Sequence, residues 1–428
     1  MRAEARRTFE AAVTAADPAR FLEGRLPLPA KGRVFLIGAG KAAVGMIQAA
    51  ESFYLDQCRL DPQRLAGLAV TRHGYGGRTR AIPVIEAGHP VPDIFGIDGT
   101  ERLLNLADET QRGDIAVVLM SGGGSANLIA PAGEVTLAEK QALTSALLRS
   151  GAPIDAINCV RKHVSRVKGG RLAARLAPAR VVTLAISDVP GDDPSVIGSG
   201  PTVPDMTTLA DARAVIERYG IMPPASVADA LNDPGNETPK PGDPAFEGAT
   251  FEIVGRPADA LAAAVAQAAA LGYAVTDLGA DVAGEARDVA ARHALMALSL
   301  KRAGRKAAIL SGGELTVTLR GKGRGGPNQE YALALALALN GESGIVALAC
   351  DTDGTDGGQG LASDPAGALV DSRTLTRARS NGVDAAACLA DNDSTRFFAA
   401  AGDLVITGPT RTNANDLRVL LIDPQAAG

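Results

Sequence analysis

Cysteine is scarce: Cys58, Cys159, Cys350 and Cys388 are the only four in 428 residues, far apart and with no C-x-x-C pair. The four histidines, His73, His89, His163 and His293, show no H-x-x-x-H spacing. Neither a disulfide framework nor a structural zinc site is expected. No apolar run approaches the roughly 18 residues that span a bilayer, so no membrane partner is expected either. An excess of one charge is also missing. The 43 basic and 48 acidic residues give a formal net charge of −5, which recommends no nucleic acid as partner. Any anion site must come from local geometry. The opening MRAEARRTFEAAVTAADPARF carries arginines, but Glu4, Glu10 and Asp17 are out of place in a transit peptide. It reads as an amphipathic first helix of a cytoplasmic protein.

Apolar residues are plentiful, 46% of the total, and the length predicts two domains. In the first half, strand-like runs (VFLIGA, GLAVT, IPVIEAG, IAVVLM, VVTLAIS) alternate with helix-like ones. Such alternation predicts an α/β fold with a largely parallel sheet covered by helices, and ligands at the carboxyl ends of its strands. In TLAEKQALTSALLRSG, Thr136 and Glu139 have capping-box spacing and Gly151 suits the carboxyl-terminal cap. Residues 232–250, NDPGNETPKPGDPAFEGAT, read as a linker, placing domains over 1–235 and 250–428. FEIVG, KAAILSGGE, LTVTLRGKGRGG, IVALACDTDG, DLVITG and RVLLI continue the strand pattern beyond it. YALALALAL alternates like a strand, yet Ala and Leu favour helices and β-branched residues are absent, so a buried helix is predicted.

Glycine turns follow several strands: GAGK (Gly38, Gly40, Lys41), SGGGS (Ser121, Gly122, Gly123, Gly124, Ser125) and SGGE (Ser311, Gly312, Gly313, Glu314), with GKGRGGPNQE as a fourth cluster. Glycine lets backbone N–H groups approach a phosphate, although a tight strand-to-helix connection accounts equally well for any single turn. Gly38, Gly40 and Ala43 fit the dinucleotide fingerprint. Thr71, Arg72 and His73 stand where that reading wants an acidic residue, which leaves an NADPH site with an arginine on the 2′-phosphate as a rival. Ala42 after Lys41 breaks the Walker pattern.

In NCVRKHVSRVKGGRLAARL, Val160, Val164 and Val167 mark a buried helical side, and Arg161, Lys162, Arg166, Lys168 and Arg171 read mostly as a solvated face, with Lys168 beside Gly169 the exception. Asp188 stands just past a strand, with Asp192 and Asp193 in the next turn, where carboxylates bind a metal or take a proton from a hydroxyl. Asp351, Asp353 and Asp356 cluster in CDTDGTDGG, which is not an EF-hand: its glycine comes too early and Ala362 stands where the bidentate Glu belongs. Glycine loops, a lysine at a strand-to-helix turn and strand-end aspartates are the parts that phosphoryl transfer requires.

Through GAGKAA, EAGHPVPD, SGGGSANL, RKHVSRVKGGRLA, ISDVPGDDPSVIGSGPT, SGGE, GGPNQE, DGTDG and TGPTRTNAND, the chain resembles the class II glycerate kinases, the family with a MOFRL carboxyl-terminal domain. The resemblance implies two α/β/α domains, the first Rossmann-like, with the active site in the cleft between them. It implies ATP- and Mg²⁺-dependent (or Mn²⁺-dependent) phosphorylation of D-glycerate at its 2-hydroxyl, and homodimeric assembly is compatible with it. Lys41 matches the family's catalytic lysine. Asp188, with Asp192, is the candidate for the metal or the hydroxyl, and Lys168, Asn328 and the SGGGS and SGGE turns are the candidates for substrate and nucleotide. The chain departs from the family at Pro327, where an arginine belongs, and Arg324 in the same loop is the candidate replacement. It also departs in GGQGLASDPAGALVD, between DGTDG and the next strand. An NADPH-dependent hydroxypyruvate reductase and a non-enzymatic sensor of phosphorylated metabolites are the competing readings.

Overall fold

The computed structural model describes residues 1–189, 191–357, 361 and 363–426; Ala362 and residues 358–360 of the GGQGLASDPAGALVD stretch lie outside them. The chain divides into two compact units, Pro18–Val254 and a second one made of Met1–Asp17 with Gly255–Gly428.

The first unit is built on six strands, β1 (Val34–Ala39), β2 (Leu65–Arg72), β3 (Val84–Ala87), β4 (Ile115–Met120), β5 (Arg180–Ile186) and β6 (Thr250–Gly255), in the order β3-β2-β1-β4-β5-β6. The pairs from β3 through β5 are all parallel. Phe35, Ile37, Val118 and Met120 enter one core cluster with Leu103 and Leu172, while Leu36, Val117 and Leu119 enter another with Met46 and Ile47. Both faces are therefore buried, which is why these strands are apolar throughout instead of alternating. The strand order reverses between β1 and β4, so the loops leaving their carboxyl ends diverge and open a crevice. FEIVG, expected in the second domain, is instead β6 of this first sheet, and the supposed linker is ordered, with Thr238 buried and bonded to Asp205.

The second unit holds β7 (Ala274–Asp277), β8 (Ala307–Ser311), β9 (Ile345–Asp351), β10 (Gly367–Val370), β11 (Leu404–Val405) and β12 (Asp416–Ile422), ordered β11-β10-β9-β12-β8-β7. Only β7 and β8 pair in parallel; the four remaining pairs are antiparallel, so the expected parallel character stops at the first sheet. YALALALAL lies in the helix Pro327–Leu339, buried along nearly its whole length, with Pro327 in its first turn. LTVTLRG is no strand, making a single bridge from Thr316 to Glu285. The first helix, Arg2–Ala15, packs on the helix Pro257–Ala270, β9 and β12, so it belongs with the carboxyl-terminal half.

Candidate active site

The two turns that leave β1 and β4 are locked together. Gly40 has φ +108°, and a Cβ there would lie 2.4 Å from the Ser121 carbonyl oxygen. The Lys41 N–H donates to the Gly122 carbonyl (2.9 Å) and the Ala42 N–H to Ser121 Oγ (3.0 Å). Those N–H groups, expected from the sequence to be free for an anion, are thus already engaged. Gly38 lies within β1, and a Cβ on it would sit 3.0 Å from Ile47 Cγ1 and 3.1 Å from Ala69 Cβ. Its absence of a side chain serves helix-on-strand packing. Arg72, the candidate for a 2′-phosphate, is 7% exposed with its guanidinium 5.0 Å from the Tyr75 ring centroid. The dinucleotide reading loses both its nest and its arginine.

The free donors are on the second turn. Among the described residues the N–H groups of Gly122 and Gly123 donate to no other residue, and Gly123 has φ +85°. A Cβ at Gly123 would meet the His89 ring at 3.1–3.2 Å and Lys41 Cγ at 3.4 Å, so lysine and imidazole flank this turn. His89, in EAGHPVPD, was not singled out from the sequence as a site residue. Asp188 stands two residues beyond β5, half-buried, and Asp192, also half-buried, adopts φ +56°.

Behind the turn lies a group of buried cations, where the sequence suggested a solvated helix face. The helix Ile154–His163 ends before Val164, and Gly169 and Gly170 (φ +59° and +81°) turn the chain into the helix Arg171–Leu176. Lys168 is 1% exposed and donates to the Ser125 carbonyl (2.7 Å); Lys140, 5% exposed, donates to the Val164 carbonyl (2.5 Å). Arg161, half-buried, donates to Asn158 Oδ1 (3.3 Å). Lys162 is paired with Asp205 and Arg166 with Glu101, yet among the described residues Lys140, Arg161 and Lys168 form no ion pair. Burial, then the Arg161 charge, pushes Lys140 down to about 7, and burial with repulsion from Arg161 and Lys140 depresses Lys168 strongly. The Ser125 and Ser199 hydroxyls share a hydrogen bond beside them, with Ser199 held at φ +64°.

The second unit gathers a different set. Arg418, fully buried in β12, donates to Ser311 Oγ (3.0 Å) and to the Gly312 and Gly313 carbonyls of the SGGE turn. A Cβ at Gly313 would fall 2.3 Å from the Val282 nitrogen, so close packing accounts for this glycine, while Glu314 is exposed. Asn328 is buried, its Nδ2 donating to Asp356 (3.2 Å) and Asp416 (2.6 Å). Asp356 accepts the Asn328 and Gln329 backbone N–H groups, capping the helix Pro327–Leu339. Burial and the nearby Asp416 push Asp356 up to about 7 despite those bonds. Arg324 is exposed. The glycines around it do not let the backbone swing, as the sequence suggested: Gly321, Gly323 and Gly325 lie against Asp391, Asp393 and Ser394, and the Arg324 N–H donates to Asp393 Oδ1 (3.2 Å). Arg418 and Asp416 were missed as well; the one signal for them was a charge inside the apolar run DLRVLLI.

Comparison with known proteins also finds two parts, although the first takes in most of the helix Arg2–Ala15 and stops short of β6. The domain of unknown function DUF4147 matches residues 4–232, and the MOFRL family matches residues 307–416. The chain is 48% identical to a protein of Agrobacterium vitis that carries the provisional name hydroxypyruvate reductase, covering 97% of this chain and 93% of the relative. It is 40% identical to the D-glycerate 2-kinase of Thermotoga maritima, over 96% and 95%. A crystal structure of glycerate kinase from the same organism superposes with a TM-score of 0.82 at 39% identity, covering 97% and 98% of the two chains.

Proposed function

We propose, because the chain belongs to the class II glycerate kinases with their carboxyl-terminal MOFRL domain, that it transfers the γ-phosphoryl group of ATP to the 2-hydroxyl of D-glycerate. The products are 2-phosphoglycerate and ADP. One observation carries this reading against the reductase: the GAGK turn has spent its N–H groups on Val70 and on the SGGGS turn, whose own Gly122 and Gly123 N–H groups are unspent and flanked by Lys41. That arrangement suits a phosphoryl group better than a dinucleotide bridge.

In the proposed reaction the 2-hydroxyl oxygen bonds to the γ-phosphorus as the bond to the ADP oxygen breaks, and the hydroxyl proton passes to the Asp188 carboxylate. Lys41 offsets the charge on the transferring group, and the Gly122 and Gly123 N–H groups fix its oxygens. Asp188 and Asp192 supply carboxylate oxygens, the donor type of Mg²⁺ or Mn²⁺, and are the residues that would hold it. Among the described residues no three His, Cys, Asp or Glu side chains converge as a metal cage, which fits an ion held by one or two carboxylates together with phosphate oxygens. When bound, such an ion neutralises phosphate charge. We assign the SGGE turn, Asn328 and Arg324 to nucleotide or substrate. Among the described residues no helix is long and apolar enough to cross a membrane.

Incubating the purified protein with D-glycerate, ATP and Mg²⁺ and identifying the product by ³¹P NMR tests the reading, 2-phosphoglycerate being the expected signal. Binding of NADPH with its steady oxidation by hydroxypyruvate would establish the reductase instead.

A further inference from the structure

Among the described residues, three cations in the first unit have no counter-charge. A buried ammonium held by one carbonyl keeps two donors unspent and loses its hydration, an arrangement that costs several kcal/mol unless an anion completes it. Lys140 and Lys168 are each held in this way, and Arg161 adds a third like charge. Lys162, Arg166 and Arg171, on the same stretch of chain, find partners in Asp205, Glu101 and the Asn236 carbonyl, so the stretch does supply partners where pairing is structural. A second, independent oddity lies alongside. Ser199, a non-glycine residue, is held in the left-handed region between Gly198 and Gly200, and its hydroxyl meets that of Ser125. Strained backbone of this kind persists where the surroundings impose it, and it concentrates at sites that bind ligands.

We propose that Lys168, Lys140 and Arg161, with the Ser125 and Ser199 hydroxyls, form the seat for the carboxylate of the hydroxy-acid substrate. This assignment rests on the kinase reading. The carboxylate and the reacting 2-hydroxyl, on adjacent carbons, then meet neighbouring parts of one turn: Gly122 and Gly123 face the transferring phosphoryl group, and Ser125 faces the carboxylate. Ser125 lies two positions beyond Gly123, a span of at most about 7 Å, which is the scale of a phosphoryl group and the carboxylate beside it. Burial and mutual repulsion work against holding all three cations here without an anion, and a bound carboxylate relieves both. A neutral polyol such as glycerol offers these groups hydroxyl oxygens but no charge, and discrimination between acid and alcohol follows.

The test uses Lys168→Met and Arg161→Gln in the full chain, each checked by thermal melting. Lys168→Met removes an unpaired buried charge and is expected to melt no lower than wild type; should it fail to fold, the half-buried Arg161 position carries the test. KM for D-glycerate is expected to rise at least tenfold in both variants while KM for ATP stays within twofold. Calorimetric binding of D-glycerate, against glycerol and inorganic phosphate, is expected to fall in parallel, and this readout needs no turnover. A KM for D-glycerate within twofold of wild type, or a rise confined to ATP or to phosphate binding, overturns the seat. Absence of phosphorylation by the wild-type protein, with D-glycerate binding still lost in the variants, would overturn the kinase reading and leave the seat supported.

Discussion

Lys41 draws its position from two neighbours: its backbone N–H is tied to Gly122, and its side chain runs past Gly123 beside His89. Because the backbone bond survives truncation, Lys41→Ala is expected to melt like wild type and to lose transition-state stabilisation of about 3 kcal/mol or more, read as kcat. Turnover near that of wild type would take Lys41 out of the mechanism. Arg324 is the contrasting case, an exposed side chain on a loop whose backbone is tied down by Asp391 and Asp393. A guanidinium grips oxyanions with two prongs where an ammonium acts as a point charge, so Arg324→Lys should already lower kcat/KM and Arg324→Ala should lower it roughly tenfold or more. Changes under about twofold in every parameter would mean that nothing in this loop replaces the arginine displaced by Pro327.

At the level of elements, local signals were readable and long-range ones were not. Thr136 and Glu139 form their capping box, and Pro327 starts its helix, because each depends on residues within one turn. LTVTLRG carries a strand-like alternation but finds no neighbouring strand, leaving Leu319 79% exposed. The basic run is a related case: the helix stops at His163, before Val164 and Val167, and the chain beyond it buries Lys168. Helix pairing also makes a pH prediction. His293, in the helix Ala286–Arg302, bonds through Nδ1 to the Tyr331 hydroxyl of the helix Pro327–Leu339 (2.8 Å). Burial first, then the Arg418 and Arg292 charges, push it down to about 4. Its folded value lies below the unfolded one, so its stabilisation is complete above about pH 6.5 and is lost as pH falls through about 4. Melting temperature is expected to decline across that window in wild type and to decline less in His293→Gln. Parallel curves would show that His293 is not the group responsible.

At the scale of the whole molecule, the second unit is discontinuous in sequence, since Met1–Asp17 belongs with Gly255–Gly428. The first helix buries Ala5, Phe9 and Ala12, and Phe9 is 3% exposed. Phe9→Ala should cost about 3–5 kcal/mol, the usual range for truncating a buried phenylalanine. Hydrogen exchange should speed up in β9 and β12 and stay unchanged in β1 through β5; faster exchange in both sheets alike would contradict the division. The same discontinuity sets an order of events on the ribosome. Pro18–Val254 can finish folding as soon as β6 has emerged. The helix Arg2–Ala15, made before that unit, has no partner until the helix Pro257–Ala270, and then β9 and β12, have been synthesised. At roughly 5–20 residues per second that wait lasts on the order of ten seconds or more. Throughout it the apolar side around Phe9 stays uncovered, which makes the nascent Arg2–Ala15 segment, rather than either finished unit, the stretch of this protein most in need of a chaperone.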